Sequence, residues 1–180
     1  MSPLPVELGD GAILRRYTMG DLDELFALVD AERERIGEWM PWVEGTRTVE
    51  DQREWLARVV ADEQSLDGSG IWVDGVLAGG AGMSWDPFGV WAEIGYWISA
   101  AHEGRGFVTR ACRALIDIAF RELGLHRVTI RAGVENRRSR AVPERLGFTQ
   151  EGVHRGEGRG SSGFHDLVVY GLLEGEWPPA

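Results

Sequence analysis

Between Glu93 and Arg121 the hydrophobic period of the chain changes once, and a glycine-rich turn marks the change. Ala92 to Ile98 is aromatic and β-branched, which suits a half-buried strand. Beyond the turn, Val108, Ala111, Cys112, Leu115, Ala119 and Leu123 recur at three- and four-residue steps, the pattern of an amphipathic helix. Between the two lies Glu103-Gly104-Arg105-Gly106. Glycine lets backbone approach a ligand closely, and the first N–H groups of a helix have no partner within it. Together with the helix dipole they make an anion site, for which a phosphate group is the expected occupant. The alternative is a strand–helix connection that needs glycine only for its backbone geometry. The turn is not of the Walker form, because no Gly-Lys-Ser/Thr follows, and it lacks the third glycine of a dinucleotide fingerprint.

A chain of 180 residues suits one domain, 1–180, with a proper core. No apolar run approaches the roughly 20 residues of a membrane span, and no charged-then-apolar signal opens the sequence. The single cysteine, Cys112, excludes an internal disulfide and a cysteine-rich metal site; on the apolar helix face it reads as a buried thiol. A cytoplasmic protein with no membrane partner is the expectation. All 19 basic residues are arginine. From Ala101 to Arg145 ten arginines face five acids, whereas the remainder sets nine against 24. A basic block inside an acidic protein suits a compact polyanion better than a long nucleic acid, although most of these arginines are expected on solvated faces.

Taken in order, Ala12 to Tyr17 reads as a strand, and Thr18-Met19-Gly20-Asp21 as a capping box for a helix with Leu22, Leu25, Phe26, Leu28 and Val29 on its apolar face. Arg33 to Thr46 breaks the periodicity and contains Trp39-Met40-Pro41-Trp42, whose tryptophans either plug a core edge or line a pocket. Thr48-Val49-Glu50-Asp51 caps a helix to about Glu63. Gly70–Val73, the turn pair Asp74-Gly75 and Val76–Trp85 form a hairpin, and a turn at Asp86–Gly89 leads into the Ala92–Ile98 strand. His126 to Ala132, reached through the long helix, is parallel to that strand. Asn136 caps a helix from Arg137 to Leu146 with Gly147 as its C-cap, and Pro143 should kink or break it. Thr149–His154 and Phe164–Leu173 close the fold, with a mobile glycine- and serine-rich stretch between them at Gly156–Gly163. The fold class is mixed α/β: a mostly antiparallel sheet of about six to seven strands, one parallel βαβ crossover and flanking helices.

With that order in place, three segments carry a resemblance: Glu93-Ile94-Gly95-Tyr96-Trp97-Ile98, Gly104-Arg105-Gly106-Phe107-Val108-Thr109, and Glu135-Asn136-Arg137-Arg138-Ser139-Arg140-Ala141-Val142-Pro143-Glu144-Arg145-Leu146-Gly147-Phe148. They resemble the GNAT acetyltransferases and, within them, the RimJ/RimL branch, which acylates protein N-termini and other amines. His165–Gly171 resembles that branch's last strand, and Trp39–Trp42 its loop after the first helix.

The resemblance implies an acyl-CoA donor, with acetyl-CoA first, and an amine acceptor. Its pyrophosphate would meet the backbone N–H groups of Arg105, Gly106, Phe107, Val108 and Thr109 after Gly104, while Glu103 stands where the family has Gln or Arg. The pantetheine would lie along the Trp97-Ile98-Ser99 edge, where the family's parallel strands splay, with Asn136 near the thiol. Glu93 becomes the candidate base, acting through water, and backbone N–H near Ile98 a candidate for the oxyanion. The family's usual tyrosine acid is replaced here by Pro143, and Ser139 matches the serine proposed for the branch. Trp39 and Trp42 would wall the acceptor pocket, and a homodimer is compatible with the family. The histidines at 102, 126, 154 and 165 show no metal-ligand spacing, so no metal is expected. Direct transfer needs no Ser–His or Cys–His nucleophile. Two rivals stand beside this reading: a transferase of the same fold using succinyl-CoA or another long acyl donor, and a non-catalytic acyl-CoA sensor.

Overall fold

The computed structural model describes residues 3–62 and 65–178. The amino-terminal strands β1 (Val6–Gly9) and β2 (Ala12–Arg16) lead through the Thr18–Asp21 capping box into α1 (Leu22–Ala31). A short α2 (Arg33–Gly37) and a 3-10 turn at Pro41–Gly45 occupy the stretch read as aperiodic. Next comes α3 (Val49–Ala61), capped by Thr48 as its sequence predicts; Glu63, the expected end, lies outside the described residues. Strands β3 (Ser69–Val73) and β4 (Val76–Trp85) are joined at Asp74 and Gly75, whose φ values of 52° and 82° are the two left-handed residues of a type I′ turn. Strand β5 (Trp91–Ile98) feeds α4 (Phe107–Asp117), which returns to β6 (Arg127–Gly133). Then follow α5 (Arg137–Arg145), β7 (Thr149–Gly160) and β8 (Gly163–Leu173).

The sheet has eight strands in the order β1-β2-β3-β4-β5-β6-β8-β7, and β5–β6 is its parallel pair. The expectation of six to seven strands misses β1, a four-residue edge strand too short to show an alternating pattern. The segment read as mobile, Gly156–Gly163, is instead the tip of the β7–β8 hairpin. Its glycines mark close approach. A side chain at Gly158 would strike His165, and one at Gly160 would strike the Glu38 carbonyl, while the Ser161 N–H bonds Gly37 O at 2.8 Å.

Helices cover both faces. On one, Leu25 and Val29 of α1 and Leu56 of α3 pack with Tyr17, Trp72 and Leu77. On the other, Ala111, Cys112 and Leu115 of α4 pack on Leu14, Ile71, Met83, Ile94, Val128 and Ile130. Burial holds the Cys112 thiol well above its ordinary pKa, so it stays protonated and inert. The expected helical face fails only at Leu123. A π-turn at Ile118–Glu122, closed by Leu123 N–H to Ile118 O, inserts one residue and swings Leu123 outward to 39% exposure. Leu125, 2% exposed, takes the inner place.

Candidate active site

Gly104 and Gly106 have φ of 72° and 79°, the left-handed region that favours glycine. Gly106 is the N-cap of α4 and has no side chain to offer its first turn. Among the described hydrogen bonds, the first helical N–H to find a carbonyl is that of Arg110, at 3.1 Å from Gly106 O. The N–H groups of Phe107, Val108 and Thr109 are left at the wall of a cavity of about 1010 Å³. Phe107 is buried beneath the turn, with the guanidinium carbons of Arg105 and Arg110 4.7 and 4.9 Å from its ring centroid. Arg110 reaches Asp10 through Nη1 at 2.8 Å, but its Nε and Nη2 are out of solvent with no partner. Buried donors without acceptors are unfavourable, and an anionic oxygen would satisfy them.

Six arginines and two acids, Glu38 and Glu103, line this cavity among the described residues. Glu103 does not point at a ligand. Its carboxylate holds Arg35 and Arg138, while Arg35 also binds Glu32 at 2.6 Å and donates to the Ile98 carbonyl. This chain of ion pairs ties α2, the turn after β5 and α5 across the cavity mouth.

Pairing between β5 and β6 stops at Glu93 and Thr129, after three residue pairs. Beyond that point β6 pairs only with β8 through Gly133, so the parallel strands splay and leave Tyr96, Trp97 and Ile98 on the cavity wall. Ser99, expected beside them, is withdrawn. It is 3% exposed, its N–H bonds Ala78 O at 2.8 Å, and its hydroxyl bonds His102 Nδ1 at 2.8 Å. The chain turns into a 3-10 segment at Ala100–His102, which ends the strand one residue too early for Ser99 to join the edge.

Asn136 both lines the cavity and caps α5, accepting the Ser139 N–H at 3.1 Å. Pro143 does not break α5, which continues to Arg145. Proline lacks the N–H that would bond the carbonyl four residues back, here that of Ser139. Tyr96 supplies the missing donor: its hydroxyl bonds Ser139 O at 2.9 Å and accepts from Ser139 Oγ at 3.2 Å. Burial pushes the Tyr96 hydroxyl far above its usual pKa, so it remains a neutral donor.

A second cavity of about 620 Å³ opens on the far side of Tyr96 and Trp97, and both residues line both cavities. Four acids (Asp51, Glu54, Asp67 and Glu93) and one arginine, Arg58, line it among the described residues. Glu93 therefore faces this cavity and Ser139 the other. Glu93 is not a lone carboxylate: Arg131 donates to both its oxygens at 2.9 Å and reaches Glu157 with Nη1 at 2.8 Å. Trp42 lines the acidic cavity and tilts against Trp97, 6.3 Å between centroids. Trp39 does not share it. It lines the basic cavity, edge-on to His165 at 5.4 Å and over Gly133, where any side chain would displace its ring.

Sequence reasoning missed Tyr96, Arg110, Arg35 and Arg138 on the basic side, and Gln52 and Asp67 on the acidic side. Arg110 had a signal, one turn into the helix that follows the glycines. Tyr96 had one only in combination with Pro143, a link of 47 positions that no local pattern reveals.

Comparison with known proteins agrees with this architecture. Residues 12–149 match the acetyltransferase (GNAT) domain family. The putative ribosomal N-acetyltransferase YdaF of Bacillus subtilis (strain 168) is 42% identical over 163 residues, 87% of this chain and 88% of that protein. A crystal structure described as a probable acetyltransferase superposes with a TM-score of 0.88 at 37% identity, covering 97% of this chain and 99% of that one. RimL, a ribosomal L7/L12 alpha-N-protein acetyltransferase solved with coenzyme A, shares the fold with a TM-score of 0.88 at 22% identity, covering 94% and 98%. The chain belongs to the GNAT acetyltransferases, among relatives of the RimJ/RimL type.

Proposed function

We propose that this N-acetyltransferase moves an acetyl group from acetyl-CoA directly to a primary amine, with a protein N-terminal α-amine among the acceptor classes. The observation that carries this reading is the pair of oppositely charged cavities meeting at Tyr96 and Trp97. The free N–H groups of Phe107, Val108 and Thr109 and the unpartnered donors of Arg110 suit a pyrophosphate, and RimL is a structural neighbour whose complex contains coenzyme A. The splayed edge at Trp97–Ile98 suits the pantetheine arm, with Arg35 giving up the Ile98 carbonyl as the arm enters.

Transfer forms one C–N bond and breaks one C–S bond. The amine nitrogen loses one proton and the departing sulfur gains one. Glu93, on the acceptor side, takes the amine proton through an intervening water while Arg131 keeps the carboxylate in place. Tyr96 stands at the junction, with Ser139 on the donor side. The Ser139 hydroxyl, turning away from the Tyr96 oxygen it donates to, hydrogen-bonds the departing sulfur, which takes its proton from water. A cytoplasmic location and a homodimer fit the branch. The test is thiol release by the purified chain with acetyl-CoA and, separately, succinyl-CoA, across short amines and peptides. Turnover with acetyl-CoA supports the reading. Exclusive use of succinyl-CoA would replace the donor, and coenzyme binding with no turnover for any amine would make the protein a sensor.

A further inference from the structure

The acidic cavity contains more than the transfer reading uses. Gln52 of α3 is 3% exposed and lines it, and its Oε1 is out of solvent with no hydrogen-bond partner. A buried amide oxygen without a donor is uncommon in a folded protein and points to a group that supplies one. Two of the four lining acids are already committed. Asp51 accepts from Thr48 in the α3 capping box, and Glu93 is held by Arg131. Glu54 and Asp67 take part in no described ion pair. Asp67 is held above its usual pKa by lost solvation and then by the like charges of Asp62 and Glu93, a repulsion that a cation would relieve. The walls are aromatic. Trp42 and Trp97 form one side, and Tyr17 with Trp55, edge-on at 6.0 Å, another. Ring faces beside carboxylates attract an ammonium group.

Resting on the transfer reading, we propose that this cavity selects a dibasic aliphatic amine: one nitrogen meets the acyl group at Tyr96 and Trp97 while the second, as an ammonium, is held by Gln52 Oε1, Glu54 and Asp67. An ammonium offers three donors and no acceptor, which suits the unpaired oxygens of Gln52, Glu54 and Asp67. A peptide brings a carbonyl at each residue; the Ser69 and Thr46 hydroxyls already donate to Leu66 O and Trp42 O, which leaves Arg58 as the charged donor for it among the described residues, and the test includes a peptide for that reason.

The test compares 1,4-diaminobutane with n-pentylamine, which has the same chain length with a methyl group in place of the second nitrogen. Binding is measured by calorimetry without coenzyme, and kcat/KM by thiol release with acetyl-CoA. The diamine should bind saturably and exceed the monoamine in kcat/KM by roughly tenfold to a hundredfold, the worth of hydrogen bonds to a charged group. Gln52→Met and Asp67→Asn should each remove most of that preference while leaving acetyl-CoA affinity unchanged. Gln52 is buried, so its variant counts only if it unfolds cooperatively; Asp67→Asn carries the test if it does not. Equal use of the two amines, or a preference untouched in Asp67→Asn, overturns the inference. Turnover of a peptide N-terminus without any use of the diamine also overturns it, and leaves the transfer reading standing. Failure to bind acetyl-CoA would remove the transfer reading instead, because the coenzyme-free titration still reports on the cation site.

Discussion

The two cavities share a wall and oppose each other in nearly everything else. The floor of the basic one is assembled from consecutive sequence, the end of β5, the glycine turn and the first turn of α4, and α2 and α5 close over it. The acidic one gathers Trp42, Gln52, Asp67 and Glu93 from a 3-10 turn, α3, a loop and β5. A polyphosphate can be held by backbone N–H groups and a helix dipole, which any sequence supplies once glycine sets the turn. The acidic cavity instead offers carboxylate and amide side chains, and these arrive from wherever the fold brings them. On the proposed reading, the phosphate end of the donor site is a property of one local motif, and the acceptor site a property of the tertiary structure.

The sharpest way to break this comparison is Gly106→Val. A β-branched residue at φ of 79° strains the backbone, so the first turn of α4 must rearrange although nothing blocks the new side chain. Donor affinity should fall roughly a hundredfold, about 3 kcal/mol, with amine binding unaffected. Unchanged donor affinity in the folded variant would move the phosphate elsewhere. Glu93→Gln acts on the other side: turnover should drop more than about tenfold while donor affinity holds. Turnover like wild type would remove Glu93 from the chemistry and leave it the partner of Arg131. Arg110→Met removes the two unpartnered donors but keeps the packing on Phe107. Acetyl-CoA binding should weaken about tenfold, measured by titration, and a full-strength complex would mean that those donors meet no phosphate.

The smallest effect is a stability change on the acidic side. A carboxyl whose pKa is raised on folding favours the folded state less once it ionises, so Asp67 lowers stability as pH rises from about 4 through its raised value. Asp67→Asn should raise Tm at neutral pH by roughly 1–3 °C, and the gain should vanish below about pH 4. A variant no more stable than wild type at pH 7 would show that neither lost solvation nor the charges of Asp62 and Glu93 destabilise the Asp67 carboxylate.

The same contrast explains what the residues reveal on reading. The Asp74-Gly75 hairpin, the Thr48 and Asn136 caps and the crossover from β5 to β6 are all visible in sequence, because turn and cap chemistry is local. The glycine turn was legible for the same reason. Ser99 was misplaced because a 3-10 turn, invisible in the hydrophobic pattern, ends β5 before it. Trp39 and Trp42 sit three positions apart and still face different cavities, since Trp39 is claimed by His165 and Gly133 across the molecule. The glycines at 158 and 160 read as flexibility and prove to be sites of close packing, which only the partner's position reveals.

Calorimetric titration of the full chain with acetyl-CoA, in wild type and in Gly106→Val, tests most directly whether the basic cavity is the donor site. One-site saturable binding in the wild type, weakening as salt is raised and largely lost in the variant, is the predicted result. No saturable binding, or equal binding by the two proteins, would contradict it.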